Sequence, residues 1–545
     1  MKNFFNSIDE ISGIETDIFF ARWLERAAFV FLFLMVLSAP HSIAATQIAW
    51  LLGMLAWVIR LFAKPRPKLV RTPLDAALWT FFGWTIITSI FSYAPDISVG
   101  KLRGAALFLI FYFVAGNVRH LRAIKLLAFA LIFSCMVSVV WSPIERIIGR
   151  GLEISGISTE SLLTKAVYFD HGTYLEAVRK KRKIPDDLRI EAEKTDACCL
   201  IEDDTIVEAN GKKIRTPNEL AAEIEKNEIT YLECFRTPNY FTIVVKRENL
   251  LDGASSLEKL GISEWKHSRN WRYSGFYGQI ITYAEVLQLI TSLVFGLFIA
   301  SISKYGIFLE KRENKKINPQ LLLIICLLGM IFTLSLTFTR AAQLAFLVSA
   351  VTVVFASGNR KLILTLAAVI LPLGLTGLFF LQAGRQVGFY DEKDDSIIYR
   401  QTIYREGFDL WTSNPRQFFL GVGMDSTKRY AADWRLFDNG KLPSGHFHST
   451  PLQLLVERGL PGLLLWLWGL WIYAKMLWRN RNSDDWLARG IILGCFGGLV
   501  GFFTSSLVNY SLGDSEVAMV FYLLMGLSNV LCSLKLQNPD FKVSK

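Results

Sequence analysis

Two of the six histidines stand at i and i+2 in the run Gly445-His446-Phe447-His448-Ser449, just ahead of an apolar stretch. An imidazole takes up and releases protons near neutral pH, so a histidine where a loop meets a helix can act as acid or base. No cysteine, aspartate or further histidine accompanies the pair at metal-ligand spacing, which favours proton transfer over a metal site. Capping of the helix that follows is the competing structural role.

What must position this pair is a membrane. Of 545 residues, 52% are hydrophobic and 20% charged, and the mean hydropathy is +0.34, which excludes a purely soluble enzyme. The apolar residues form runs long enough, at roughly 20 residues, to cross a bilayer as helices, and they do not alternate as barrel strands would. Twelve spans are expected: 24–40, 43–62, 73–92, 101–117, 123–142, 279–303, 320–339, 340–357, 361–382, 455–478, 488–509 and 514–535. The segment before the first span carries Asp9, Glu10, Glu15 and Asp17 in place of the basic start of a signal peptide, so that span is expected to stay as an anchor.

Placing both termini in the cytoplasm puts the basic clusters 64–71, 119–125, 304–316, 360–361 and 479–489 inside. The short outer turns then hold only Lys101, Arg103 and Arg340. A cation at an outer helix end works against the positive-inside bias, so each of these three is a candidate for holding an anion, with snorkelling to lipid phosphates as the alternative. The net charge of +11 is accounted for by this loop asymmetry and does not require a nucleic-acid partner.

Two long outer segments remain, 143–275 and 383–450. The first is rich in both signs of charge and is expected to be a separate soluble domain. Within it, Asp204 to Ile214 reads as strand, Asn210-Gly211 turn and short strand, followed by a helix opening at Thr216-Pro217 and strands near 229–236 and 240–247. This order resembles the second half of a bacterial PDZ domain over about 197–248, although Cys199 and Asp203 stand where glycines are expected. Peptide capture is doubtful on those departures, and a spacer or docking surface is the favoured role. Cys198 or Cys199 could pair with Cys234 in an oxidising compartment, at a distance the sequence does not fix. Cys135, Cys326, Cys495 and Cys532 lie in apolar runs and are expected to be packing residues.

Four further patterns converge on one family. His448-Ser449-Thr-Pro-Leu452-Gln453 and then Glu457-Arg-Gly459-Leu-Pro-Gly462 follow the form H-N-x-x-L-Q, E-x-G-x-x-G, with Ser449 in place of the commoner Asn. Thr339-Arg340-Ala341-Ala342 fits S/T-R-small-A. Arg400 precedes Pro415 and Gly421-Val-Gly423, and Arg272-Tyr-Ser-Gly275-Phe-Tyr-Gly278 fits R-x-x-G-x-x-G. Together these resemble the O-antigen ligase and polymerase superfamily over about 24–142 and 272–535, with the insert outside the resemblance.

The resemblance implies transfer of a glycan from an undecaprenyl-diphosphate carrier to an acceptor hydroxyl on the periplasmic face, such as lipid A-core. Breaking an anomeric bond to diphosphate calls for cations at the leaving group and a base at the acceptor. His448 holds the family's histidine position and is the expected base, while His446, one strand step away, is expected to face elsewhere and shape the loop. Arg340 and Arg400 are expected to bind the diphosphate, with Arg272, Arg405, Lys101 and Arg103 as weaker candidates. No outer-loop D-x-D stands out and the donor arrives activated, so a glycosyltransferase without metal or cofactor is expected.

The expected architecture is an all-α polytopic protein of the bacterial inner membrane, with about twelve transmembrane helices and an inserted small α+β, PDZ-like periplasmic domain. Its parts are 1–142 (cytoplasmic segment and spans one to five), 143–275 (insert), 276–382 (spans six to nine), 383–450 (periplasmic catalytic loop) and 451–545 (spans ten to twelve and a cytoplasmic tail). Partners would be the donor, the acceptor glycan, membrane lipids and a protein docking on the insert. A polysaccharide polymerase is the alternative activity. A transporter is disfavoured because the halves share no repeat and the polar candidates gather on one face; a sensor or scaffold built on the insert is a third alternative, favoured if activity is lost on deleting the insert while His448 substitutions are silent.

Overall fold

The structure is a computed structural model that describes residues 2–67, 70–169, 200–236, 239–269, 271–306, 319–360, 395–440, 442 and 445–537, with isolated positions between 364 and 377. It forms two compact units, Met1–Val140 with Tyr273–Lys545, and Trp141–Arg272.

The first unit is helical, and among the described residues eight helices are long and apolar enough to cross a membrane. They account for eight of the twelve expected spans. Helix Phe19–Ser38 carries Arg22, Glu25 and Arg26 in its first turns, Asp75–Ile90 and Arg340–Ala356 stop at 16 and 17 residues, and most of 361–382 lies outside the described residues. At 1.5 Å per residue the two shorter helices extend about 25 Å, less than a full hydrocarbon core of about 30 Å.

Helix Ile280–Tyr305 is the centre of the unit and is buried along most of its length. It packs on helix Trp486–Ser506 through small residues: a Cβ on Gly296 would stand 2.2 Å from the Gly494 nitrogen, and one on Gly490 2.7 Å from the Leu297 Cα. Where surrounding lipid is as apolar as the side chains, such close backbone approach supplies the packing energy that water exclusion supplies elsewhere. Cys135, Cys326, Cys495 and Cys532 are buried, as their apolar surroundings in sequence suggested.

Among the described residues the second unit holds a seven-stranded antiparallel sheet. Its strands are β1 (Leu152–Ile157), β2 (Val167–Phe169), β3 (Thr205–Ala209), β4 (Lys212–Lys213), β5 (Ile229–Arg236), β6 (Asn239–Lys246) and β7 (Ile262–His267). The order is β2-β6-β5-β3-β1-β7, with β4 paired to β3. The expected hairpin is present: Asn210 at φ +50 and Gly211 at φ +78 give the doubly positive geometry that a tight turn between right-twisted strands needs. Helix Pro217–Lys226 begins where expected, with the Thr216 hydroxyl accepting from the Glu219 amide at 3.3 Å. Leu220, Ile224, Leu232 and Ile243 build a core beneath it, so the unit is stabilised by its own apolar interior. Cys234 belongs to that core, whereas Cys198 and Cys199 lie outside the described residues.

Candidate functional site

The site is built on the first unit's long loop and the helices it touches. Helix Asp395–Thr412 carries Ile403, Leu410 and Trp411 into a small apolar core with Val422, Phe437, Phe447 and Val456. Its Glu406 carboxylate accepts from the amides of Phe437 and Asp438, at 2.6 and 3.0 Å, holding a left-handed turn in which Arg435, Phe437 and Asp438 all have positive φ. The loop thus has a packed interior of its own before it reaches the histidines.

The glycine-bearing motifs meet each other. The Val422 and Gly423 amides donate to the carbonyls of Val456 and Glu457 at 2.8 and 3.0 Å, so the Gly421-Val-Gly423 segment runs beside Glu457-Arg-Gly459. A Cβ on Gly459 would lie 2.1 Å from the Phe419 oxygen, and one on Gly421 2.4 Å from the Glu457 carbonyl carbon. Gly459 also adopts φ +66, ψ −177, a conformation nearly closed to other residues, which breaks helix Thr450–Asn480 after its second turn. The Arg458 carbonyl released by that break is taken by the Trp84 indole N–H at 2.8 Å.

Around this crossing the polar side chains are tightly partnered. Glu457 is buried; it accepts from Gln453 Nε2 at 2.9 Å, the Asp425 amide at 3.0 Å and the Tyr510 hydroxyl at 3.3 Å. Burial pushes the Tyr510 hydroxyl well above its ordinary range, so it stays protonated and keeps donating. Gln453 in turn accepts from the Phe447 amide at 2.8 Å, which fixes the backbone between the two histidines. The family motif's glutamine and glutamate therefore hold the histidine loop in place. Ser449 caps the helix, its hydroxyl at 3.5 Å from the Leu452 amide.

His446 and His448 do not face apart. Their ring centroids are 4.3 Å from each other, because His448 has φ +43 and the left-handed step cancels strand alternation. The His448 amide points at His446 Nδ1 at 3.3 Å, an acceptor geometry that assigns the neutral His446 proton to Nε2. Tyr399 lies edge-on to His448 with centroids 5.6 Å apart, and the Tyr404 hydroxyl donates to the His448 carbonyl at 2.9 Å. Burial first, then the positive fields of His446 and Arg400, push His448 down to about 3. His446 is lowered too, by burial and then Lys428.

The other expected site residues divide. Arg400 lies on the face of helix Asp395–Thr412 that carries Tyr404, and its charge is felt by His448, Tyr399 and Tyr404 alike. Arg405 is about 140° further round the helix and exposed. Lys101, Arg103 and His446 line one cavity of about 640 Å³, together with Phe81, Asp425, Glu457, Arg458 and Tyr510. Lys101 is committed there, at 2.5 Å from Asp425, which Lys428 also contacts at 3.0 Å. Burial opposes the charged Asp425, but the two ammoniums outweigh it and hold the carboxyl below its usual range.

Arg340 begins helix Arg340–Ala356, half-buried and outside that cavity's lining. Arg272 is the last residue of the second unit. Among the described residues no three His, Cys, Asp or Glu side chains converge as metal ligands.

Residues 325–467 match the family model described as O-antigen ligase. This stretch, about a quarter of the chain, is similar to the O-antigen ligase family. The matched stretch runs from helix Pro319–Leu336 through Arg340, Arg400, the paired glycine motifs and both histidines into helix Thr450–Asn480. No curated protein matches the chain. Eight described helices long and apolar enough to cross a membrane make this an integral membrane protein, and the matched family implies a glycan-transferring activity of the ligase type with a lipid-linked donor and an acceptor. Sequence reasoning passed over Arg458, although it sits inside the quoted Glu457-Arg-Gly459 motif. It also passed over Tyr510 and Asp425, for which no local pattern existed, since their importance comes from elements distant in sequence.

Proposed function

We propose that this O-antigen ligase domain transfers a glycan from an undecaprenyl-diphosphate carrier to a hydroxyl of lipid A-core at the periplasmic face, with His448 as general base and Arg400 and Arg340 as diphosphate ligands. The observation that carries the reading is the seating of His448 against the helix of Arg400 inside the matched domain, with the Tyr404 hydroxyl donating to the His448 carbonyl at 2.9 Å and the Tyr399 ring edge-on to the imidazole. The acceptor oxygen attacks the anomeric carbon, the bond from that carbon to the diphosphate oxygen breaks, and the acceptor's proton passes to His448. The diphosphate leaves with the bonding electron pair, stabilised by the arginines.

A base held near 3 is neutral at working pH but weak. Donor binding changes that, because a diphosphate beside Arg400 cancels part of the positive field acting on the imidazole and returns basicity to it. His446, with its ring against His448, then takes a share in orienting the base. The expected twelve-span layout, with both termini in the cytoplasm and the insert outside, places this loop on the periplasmic side. The PDZ-like insert is assigned a docking role there.

A strain deleted for the gene tests the reading at the level of the cell. Lipopolysaccharide should lose its long-chain ladder while carrier-linked glycan of ordinary chain length accumulates. A ladder that persists, or carrier-linked glycan that becomes shorter, contradicts ligation, and the second outcome is the one expected of a polymerase.

A further inference from the structure

We propose that Arg458 is a buried anion anchor for the donor's diphosphate in the cavity that also holds His446, an inference that rests on the ligase reading. Its side chain is only 4% exposed and lines that cavity. Among the described residues its Nε and Nη1 have no hydrogen-bond acceptor, it forms no ion pair, and its Nη2 meets only the Met424 sulfur at 3.0 Å. The Phe81 ring, with its centroid 5.4 Å from the guanidinium carbon, supplies a π face but no acceptor. A buried guanidinium with donors unspent is costly to fold, and a recurring reason to keep one is an anion that arrives later.

The neighbouring charges point the same way. Asp425 is engaged by Lys101 and Lys428, and Glu457 by Gln453, Tyr510 and the Asp425 amide, so the acids beside Arg458 are already satisfied. Arg103 is exposed and also lines the cavity, a second cation toward which an anion could extend.

The remaining wall indicates what carries the anion. Ile43, Trp50 and Leu51 of helix Ile43–Phe62, with Phe81 and Leu107, give the cavity an apolar side. Leu51 is 58% exposed on a helix long and apolar enough to span, so this side opens toward lipid. A cavity with a buried cation on one side and lipid-facing apolar residues on the other suits an amphiphile whose chain stays in the bilayer and whose diphosphate reaches Arg458. Free pyrophosphate shares the headgroup chemistry but would leave the apolar wall uncovered.

The test uses the full chain in phosphatidylcholine nanodiscs, with farnesyl diphosphate, inorganic pyrophosphate and farnesol as probes. Arg458→Gln should weaken farnesyl diphosphate binding by about 10- to 100-fold, the loss expected for charge-assisted hydrogen bonds to a phosphate, and leave farnesol binding unchanged. Pyrophosphate should bind the wild type more weakly than farnesyl diphosphate does; equal affinity would overturn the lipid-linked part of the proposal. Unchanged farnesyl diphosphate affinity in a variant with normal thermal stability, or an equal loss for farnesol, overturns the anchor. Should Arg458→Gln fail to fold, the exposed Arg103→Gln must still weaken farnesyl diphosphate, and no change there overturns the proposal equally. Binding that depends on Arg458 in a protein that transfers no glycan would defeat the ligase reading alone. Transfer by wild type with Arg458-independent binding would defeat the anchor alone.

Discussion

His448→Ala is expected to lower glycan transfer by about 10² to 10⁴, the range for loss of a general base, with the protein still inserted at its normal level. The His448 backbone, held by the Tyr404 hydroxyl and by the Phe447-Gln453 contact, does not depend on the imidazole, so the loop should keep its shape. The pH profile carries a second signature. The active form is the neutral imidazole, and because burial lowers its proton affinity to about 3, kcat/KM should stay level from about pH 5 to 7. Once donor is bound beside Arg400 the value rises, so the acid limb of kcat should lie above that of kcat/KM. Near-normal transfer by the alanine variant removes His448 from the chemistry, and an acid limb in kcat/KM near 6.5 contradicts the buried, neutral base.

Arg400→Gln is expected to reduce kcat/KM by about 10² to 10³, the scale found when a preorganised donor to developing negative charge is removed. Arg400→Lys keeps the charge but replaces a planar fork with a single ammonium, and should recover only part of that loss. The sign of the accompanying pH effect follows from the contacts. Arg400 is one of the positive fields that depress His448, so its removal as a charge raises the imidazole, and the acid limb should move up in Arg400→Gln but not in Arg400→Lys. A residue that only braced the loop would lower activity without moving the limb. Full activity in the Lys variant would mean that charge alone is needed.

Much of this was legible before any coordinates, and the reasons differ by element. Span positions follow from apolar run length, a property each segment carries by itself, so the helices at 43–62, 279–303, 488–509 and 514–535 were found to within a few residues. The strand and helix order of 205–246 was also readable, because an Asn-Gly turn and a Thr-Pro helix start act through their own backbone. The motif glycines at 421 and 459 could be noticed in sequence, but that each accommodates the other's backbone depends on segments some 40 residues apart meeting.

The histidine pair failed for a related reason. A period of two assumes extended backbone throughout, and one left-handed residue at 448 reverses it. Lys101 looked like a spare cation because its counter-charge, Asp425, lies more than 300 residues away in sequence. Arg458 was hidden by a motif that displays glutamate and glycine as its constants, and only burial without an acceptor reveals it.

The most direct measurement is transfer by the purified chain in nanodiscs supplied with an undecaprenyl-diphosphate-linked glycan and lipid A-core. The account predicts glycan covalently attached to lipid A-core, with one undecaprenyl diphosphate released per glycan transferred. Intact donor after incubation with an active-site-intact protein, or growth of carrier-linked chains with lipid A-core left unmodified, would contradict it.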